Sequence, residues 1–357
     1  MEELVGIDLS KVKTLDFKIP HRNWNQAFAE AYVYMTTTSP GEVISIFGPT
    51  RAGKTSLLEE LITTICGTHK FENEMPVVKI EVDNNGGKAA FSYRSFIMET
   101  LGLMNHPVYS SIKNDGWSDP NRLDRNERAK ESTLVNALIE CFKQRKTRFW
   151  IVDEAQDLKY AGRHAMAAAG VLDALKTLAK KAGVVLVVCG TYSILESMTR
   201  SGHFEGRKHD VHLGRYRQID EDIEEFLWIL SNYNSVLDID PSLGSLDECA
   251  EVLYEGSLGC IGLLRACLYR ASVYAAIERK RIGLDHIYKS LKSSNQMLTT
   301  AAEIRLGEEH LGLKPCSVVE AALENEEEKQ KKSAAKKQKK SKCFQRKPKR
   351  YSSGNRL

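Results

Sequence analysis

Two short runs hold side chains whose types and spacing could do chemistry on a phosphate chain. The first, Gly48-Pro49-Thr50-Arg51-Ala52-Gly53-Lys54-Thr55 followed by Ser56, keeps the spacing G-x-x-x-x-G-K-[ST]. A strand that ends, a loop that turns back and a helix that begins would aim backbone amides at phosphates. Gly48 and Gly53 allow backbone angles and a close approach that a side chain would block. Lys54 is then placed for the β- and γ-phosphates, and the Thr55 hydroxyl for Mg2+. The second run is Arg148-Phe-Trp-Ile-Val-Asp153-Glu154, an apolar strand that ends in two acids. Phosphoryl transfer needs a further Mg2+ anchor and a group that orients water. Asp153 suits the first task and Glu154 the second. The plain alternative is that the pair caps the next helix. Two more residues belong to the same chemistry. Thr191, after the run VVLVVCG, could sense the γ-phosphate or simply cap a helix. Arg207 could reach the ATP of a neighbouring subunit and steady transition-state charge, with Arg200, Arg215 and Arg217 as rivals; each can also be a solvated surface arginine.

These side chains require a scaffold that brings distant strand ends together. The runs 42–47, 76–82, 148–154, 184–190 and 209–213 read as five strands, mostly continuous apolar runs. Helical patterns at 22–36, 54–66, 89–102, 131–145 and 163–182 alternate with them. Strands of this kind, alternating with helices, predict an α/β fold with a parallel five-stranded sheet flanked by helices. From about residue 218 the strands stop and four helical patterns follow, predicting a small helical lid domain. The expected organisation is an N-terminal extension with a helix at 1–40, a P-loop ATPase core at 41–217, a helical lid at 218–295, a helical or irregular segment at 296–326, and a disordered basic tail at 327–357. Residues 105–130 are polar and read as a long loop.

Composition narrows the setting. No stretch approaches 18 uncharged apolar residues, so no membrane span is expected. The first residues lack an apolar signal core, and the eight cysteines show no C-x-x-C pair. The expectation is a cytoplasmic protein with reduced thiols. Of the formal +4 charge, residues 329–357 supply thirteen Lys and Arg and no acid, leaving residues 1–328 at −9. An acidic body with a basic tail points to an acidic partner such as nucleic acid, or to a solvated tail.

The runs GPTRAGKTS, FWIVDEAQDL, VVLVVCGTYS and GSLGCIGLLRACLYRA together resemble the AAA+ ATPases of the TnsC/TniB transposition family, over roughly residues 20–295. The resemblance implies an AAA+ P-loop NTPase with a helical lid, using ATP and Mg2+ and acting as a regulator of DNA transposition. Such proteins assemble as rings or filaments around double-stranded DNA. They link a TniQ-like target-selection protein to a DDE transposase of the TnsB type, and hydrolysis disassembles the polymer. The resemblance also makes Lys88, in the turn GGKAAF, a DNA-backbone contact. This sequence departs from the family at the lid helix, where relatives carry an arginine beside the second glycine. Here the stretch is Gly262-Leu263-Leu264 and the nearest arginine is Arg265. Either Arg265 substitutes or the contact is missing.

Lys88 and Arg94 are the DNA-binding candidates, with solvated surface charge as the alternative for both. Contacts of this kind to phosphates would be sequence-independent, and a homo-oligomer would repeat each weak contact in every subunit. A replication-initiator or loader ATPase and a nucleotide-gated signalling or defence switch are the competing readings. An initiator is expected to carry a winged-helix reader after the lid.

Overall fold

The computed structural model describes residues 19–67, 73–82, 91–109, 129–162, 166–200 and 206–314, together with Val319 and Leu323. The five expected strands form: β1 Val43–Phe47, β2 Val77–Glu81, β3 Phe149–Asp153, β4 Val185–Gly190 and β5 Lys208–His212. All pair in parallel in the order β2-β3-β4-β1-β5. The three central strands are buried throughout, whereas β2 and β5 mix buried with partly exposed positions because each lies at an edge. This is why the central runs are apolar apart from Ser45 and the terminal Asp153, while VVKIE and KHDVH carry charge within the strand.

The sheet is covered on both faces. On one face α1 Arg22–Thr37 and α2 Lys54–Cys66 bury Ala27, Ala31, Met35, Leu57, Leu58 and Leu61 against Ile44, Ile46, Ile151 and Val187. The segment expected as an N-terminal extension therefore contributes to the core on this face of the sheet. On the other face lie α3 Tyr93–Leu103, α4 Glu131–Gln144, α5 Ala167–Ala182 and α6 Ser193–Arg200. Phe96, Leu101, Leu138, Phe142, Leu172 and Leu175 from α3, α4 and α5 pack there around Trp150, Val152 and Val188. Helix α3 starts four residues later than the sequence pattern placed it, because Ser92 caps it by accepting the Ser95 amide at 3.2 Å.

Four further helices follow: α7 Asp220–Val236, α8 Ala250–Ser257, α9 Ile261–Glu278 and α10 Leu284–Ser290. They enclose their own cluster around Phe226, Leu230, Leu253, Leu264, Leu268 and Ile287. The boundary expected at residue 295 falls inside a fifth helix, α11 Ser294–His310. Its Met297, Ala301 and Ile304 join the main core, so this helix returns to the sheet domain. Among the described residues no single helix is long and apolar enough to cross a membrane. Most of the 105–130 segment and the 327–357 tail lie outside the described residues.

A buried ion pair rivets α11 to the sheet domain. Arg215 donates from Nε to Glu308 Oε1 at 2.8 Å and from a terminal nitrogen to Oε2 at 2.9 Å. Arg215 also donates to the Leu258 carbonyl at 3.1 Å, which brings in the α8–α9 turn. Removing one partner of such a pair strands a buried charge, whereas replacing both with apolar groups is far milder. Arg215→Met is expected to lower unfolding stability by about 3–5 kcal/mol, read from urea unfolding curves. The double variant Arg215→Met, Glu308→Leu should recover most of that loss.

Candidate functional site

The phosphate-loop residues sit where the parallel sheet ends. Beyond β1, Gly48 runs so close to β5 that a Cβ there would meet the Leu213 carbonyl oxygen at 2.1 Å. Gly53 has φ +101°, in the left-handed region, and caps α2 with open space beside it. The first intrahelical bond of α2 is Leu57 N to Gly53 O at 3.0 Å, so the amides of Lys54, Thr55 and Ser56 come before the ladder. Lys54 folds back over the loop and donates to the Gly48 and Pro49 carbonyls at 3.1 and 2.8 Å. That leaves an ammonium proton over the cradle of amides.

Asp153 ends β3 two strands away from β1, with β4 between them. The residue is buried, 2% exposed. Oδ1 accepts the Glu154 amide at 2.9 Å, and Oδ2 lies 3.5 Å from Thr55 Oγ1. Oδ2 also meets Lys79 Nζ of β2 at 3.0 Å. Burial works against the Lys79 ammonium, but the bond to Asp153 and its charge outweigh this and hold its pKa above the usual lysine value. Thr55 Oγ1 and Asp153 Oδ2 are two hard oxygens from different elements. No cluster of three His, Cys, Asp or Glu suited to a metal occurs among the described residues. Such a sparse oxygen set fits Mg2+, which completes its shell with phosphate and water.

Glu154 is exposed and adopts φ 53°, and its side chain makes no capping bond to the 3-10 turn Ala155–Ala161 that follows. The capping alternative for the acidic pair is thus not what the geometry shows. Instead Gln156 Nε2 donates to Glu154 Oε2, while Gln156 Oε1 accepts the Thr191 amide at 3.1 Å. Gln156 ties the acid to the end of β4. The Thr191 hydroxyl meets Ser193 Oγ at 3.1 Å. At the end of β5, His212 Nε2 pairs with the Tyr192 hydroxyl at 2.8 Å, and burial, then the charge of Arg217, pulls its pKa to about 4.

The loop is also held from the C-terminal side. Glu303 of α11 accepts the Thr50 amide at 3.2 Å and its hydroxyl at 2.7 Å. The Gly262 amide, at the start of α9, donates to the Arg51 carbonyl at 3.0 Å. Arg265 is exposed, and its charge acts on Tyr233 of α7. Burial, then the charge of Arg51, lowers the pKa of Lys292, between α10 and α11.

The remaining candidates separate. Arg215 is buried on Glu308, which removes it from the rival arginines. Arg217 donates to the Lys314 carbonyl. Arg207 is exposed, and its carbonyl accepts the Val43 amide at 3.0 Å, at the end of the sheet opposite to the loop. It is therefore remote from its own phosphate loop. Arg94 donates to the Ala129 carbonyl and so braces α3 against the start of α4. Lys88 lies outside the described residues, as does the Arg200 side chain. Lys79, Gln156, Glu303 and Lys292 were not singled out in the sequence. Only Gln156 left a signal, as the last letter of DEAQ.

A parallel sheet of this order, with a phosphate loop after β1 and an acidic pair after β3, is the AAA+ P-loop arrangement. Residues 37–198 match the family model of an AAA domain. The matched stretch takes in β1, the loop, the acidic pair and Thr191. Among solved structures, the Aeropyrum pernix ORC2 protein in its ADPNP-ADP complexes is similar at 14% identity, over 83% of this chain and 78% of that one, with a TM-score of 0.51. Its ADP form is similar at 17% identity, over 88% and 82%, with a TM-score of 0.50. These likenesses are likenesses of fold. No curated protein matches the sequence.

Gln156 links Glu154 to the end of β4, and small displacements of an orienting group are costly to rate. Gln156→Ala is expected to slow nucleotide hydrolysis by about ten- to a hundredfold, with nucleotide affinity held within about threefold. Phosphate release and equilibrium nucleotide binding, measured side by side, check this.

Proposed function

We propose that this protein is an ATP hydrolase that assembles on double-stranded DNA and regulates transposition, linking a TniQ-like selector to a DDE transposase. The observation that carries the ATPase reading is the convergence, at the C-terminal ends of the central parallel strands, of the loop amides with Thr55, Asp153 and Glu154. Residues 48–56 bind the triphosphate, with Lys54 turned from the loop carbonyls onto the β- and γ-phosphates. Thr55 and Asp153 hold Mg2+, which when bound offsets phosphate charge. Glu154, held by Gln156, orients the attacking water and takes its proton. Thr191, beside it, positions the same water. Arg207 lies far from its own loop, which suits an arginine that acts on the next subunit in a homo-oligomer.

DNA binding is supported by charge. By their charge, the basic residues of 329–357 and Lys88 would make phosphate contacts that read no sequence. Arg94 is the weaker contact, since its guanidinium already braces the fold. The transposition assignment rests on the four sequence runs that resemble the TnsC/TniB family. An initiator-type ATPase shares the fold and stands as the alternative. It is expected to begin a DNA-reading domain after the helical region, whereas residues 294–310 return to the phosphate loop through Glu303.

Glu154→Gln is expected to bind ATP and lower its hydrolysis by about a hundredfold or more. Incubated with ATP and duplex DNA, this variant should accumulate as rings or filaments in electron micrographs, and Lys54→Ala should give none. ATP-loaded protein that stays as single chains off DNA rules out the assembly. Stimulation of strand transfer by a DDE transposase in the same mixture separates the transposition reading from the initiator one.

A further inference from the structure

Asp153 carries a partner that the hydrolytic reading does not use. Lys79 lies level with Ile151 in the β2–β3 register, and Glu81 lies level with Asp153. The Lys79 stem therefore runs along the edge strand to bring Nζ within 3.0 Å of Asp153 Oδ2. The same Nζ is 3.6 Å from Glu81 Oε1. The Asp153 side chain is 3% exposed and that of Glu81 64%. A flexible ammonium thus stands between a buried acid and a solvated one, touching the very oxygen that faces Thr55. A bare carboxylate at this depth is unfavourable and needs a counter-charge. Lysine is suited to supply one that moves, since its charge sits at the end of a four-carbon stem with no fixed fork.

We propose that Lys79 is the resident counter-cation of Asp153 and a positioning residue for metal loading. It neutralises the carboxylate while no divalent ion is bound, and swings toward Glu81 when the ion arrives. This rests on the nucleotide reading above. The consequence is an order of events: a divalent ion alone must displace an ammonium from a buried partner, with only two protein oxygens in return. An ion that arrives with phosphate oxygens has ligands enough to do so. Metal and nucleotide therefore load together, and Asp153 is spared both an empty period and premature metal binding.

The test uses full-length protein and Mn2+ as the probe, with free Mn2+ counted by its paramagnetic resonance signal in the absence of nucleotide. The wild type should retain little Mn2+. Lys79→Met should bind it at least about tenfold more tightly, the scale expected when one close charge is removed, and a further Asp153→Asn change should abolish the gain. Lys79→Arg, which keeps the charge, should resemble the wild type. A merely structural ion pair would leave the Mn2+ isotherm unchanged, and identical isotherms for folded wild type and Lys79→Met overturn the proposal. Should Lys79→Met fail to fold, Glu81→Gln decides: removing the exposed acceptor should raise the Mg2+ concentration needed for half-maximal binding of a fluorescent ATP analogue by about threefold. An unchanged midpoint overturns the proposal. Wild-type protein that takes up no analogue at any Mg2+ concentration refutes the nucleotide reading, while the Mn2+ isotherms still decide the role of Lys79.

Discussion

A carboxylate sealed at the end of a central strand has to be matched from several directions, and the arrangement around Asp153 follows from that need. Its own chain supplies the Glu154 amide, α2 supplies the Thr55 hydroxyl and the edge strand supplies Lys79. The strand order sets the scale. With β4 between β1 and β3, the loop and the acid stand two strand spacings apart, about 10 Å. Two short side chains, Thr55 and Asp153, close that gap from opposite sides. Beyond them, at the end of β4, the Thr191 amide meets Gln156.

The phosphate loop is fixed by contacts that fall outside the first amides of α2, those of Lys54, Thr55 and Ser56, which come before the helical ladder. The Leu213 carbonyl crowds Gly48, the Gly262 amide holds Arg51, and the Glu303 carboxylate holds Thr50. Two of these come from beyond the sheet domain. The helical region and α11 therefore do more than cover the nucleotide side. They share in shaping the loop, and the Arg215–Glu308 pair locks the same helix to the β5 end. A site whose supports come from separate elements is pre-organised only once all of them have docked.

Much of this was legible in the residues themselves. The G-x-x-x-x-G-K-[ST] spacing, the acids closing FWIVDE and the uninterrupted apolar runs each state a local requirement, and local requirements survive in sequence. What was not legible depends on neighbours in space. VVKIEV reads as a strand, but nothing in it says that β2 lies beside β3 with Lys79 pointed at Asp153. Four arginines near residue 207 look alike in sequence, and only burial tells Arg215 from Arg207. Helix α11 stayed ambiguous because its pattern is polar, with Ala301, Ile304 and Gly307 making close contacts that carry little hydrophobic signal. Gln156 was visible as a letter of a motif, but its two-way bond becomes apparent only once β4 is seen next to it.

The sheet order also governs how the chain comes together as it is made. β1 leaves the ribosome before the other strands of the described sheet, yet both of its partners are distant: Val43 pairs with Leu186 on one side and Lys208 on the other. At about 5–20 residues per second, the run VISIF is without a partner for roughly 7–30 seconds of synthesis. During that wait α1 and α2, one on each side of it in the chain, are the nearest elements at hand to shield it. The two helices that cover one face of the finished sheet are thus also the nascent chain's local guard against an unpaired apolar strand meeting another copy of itself.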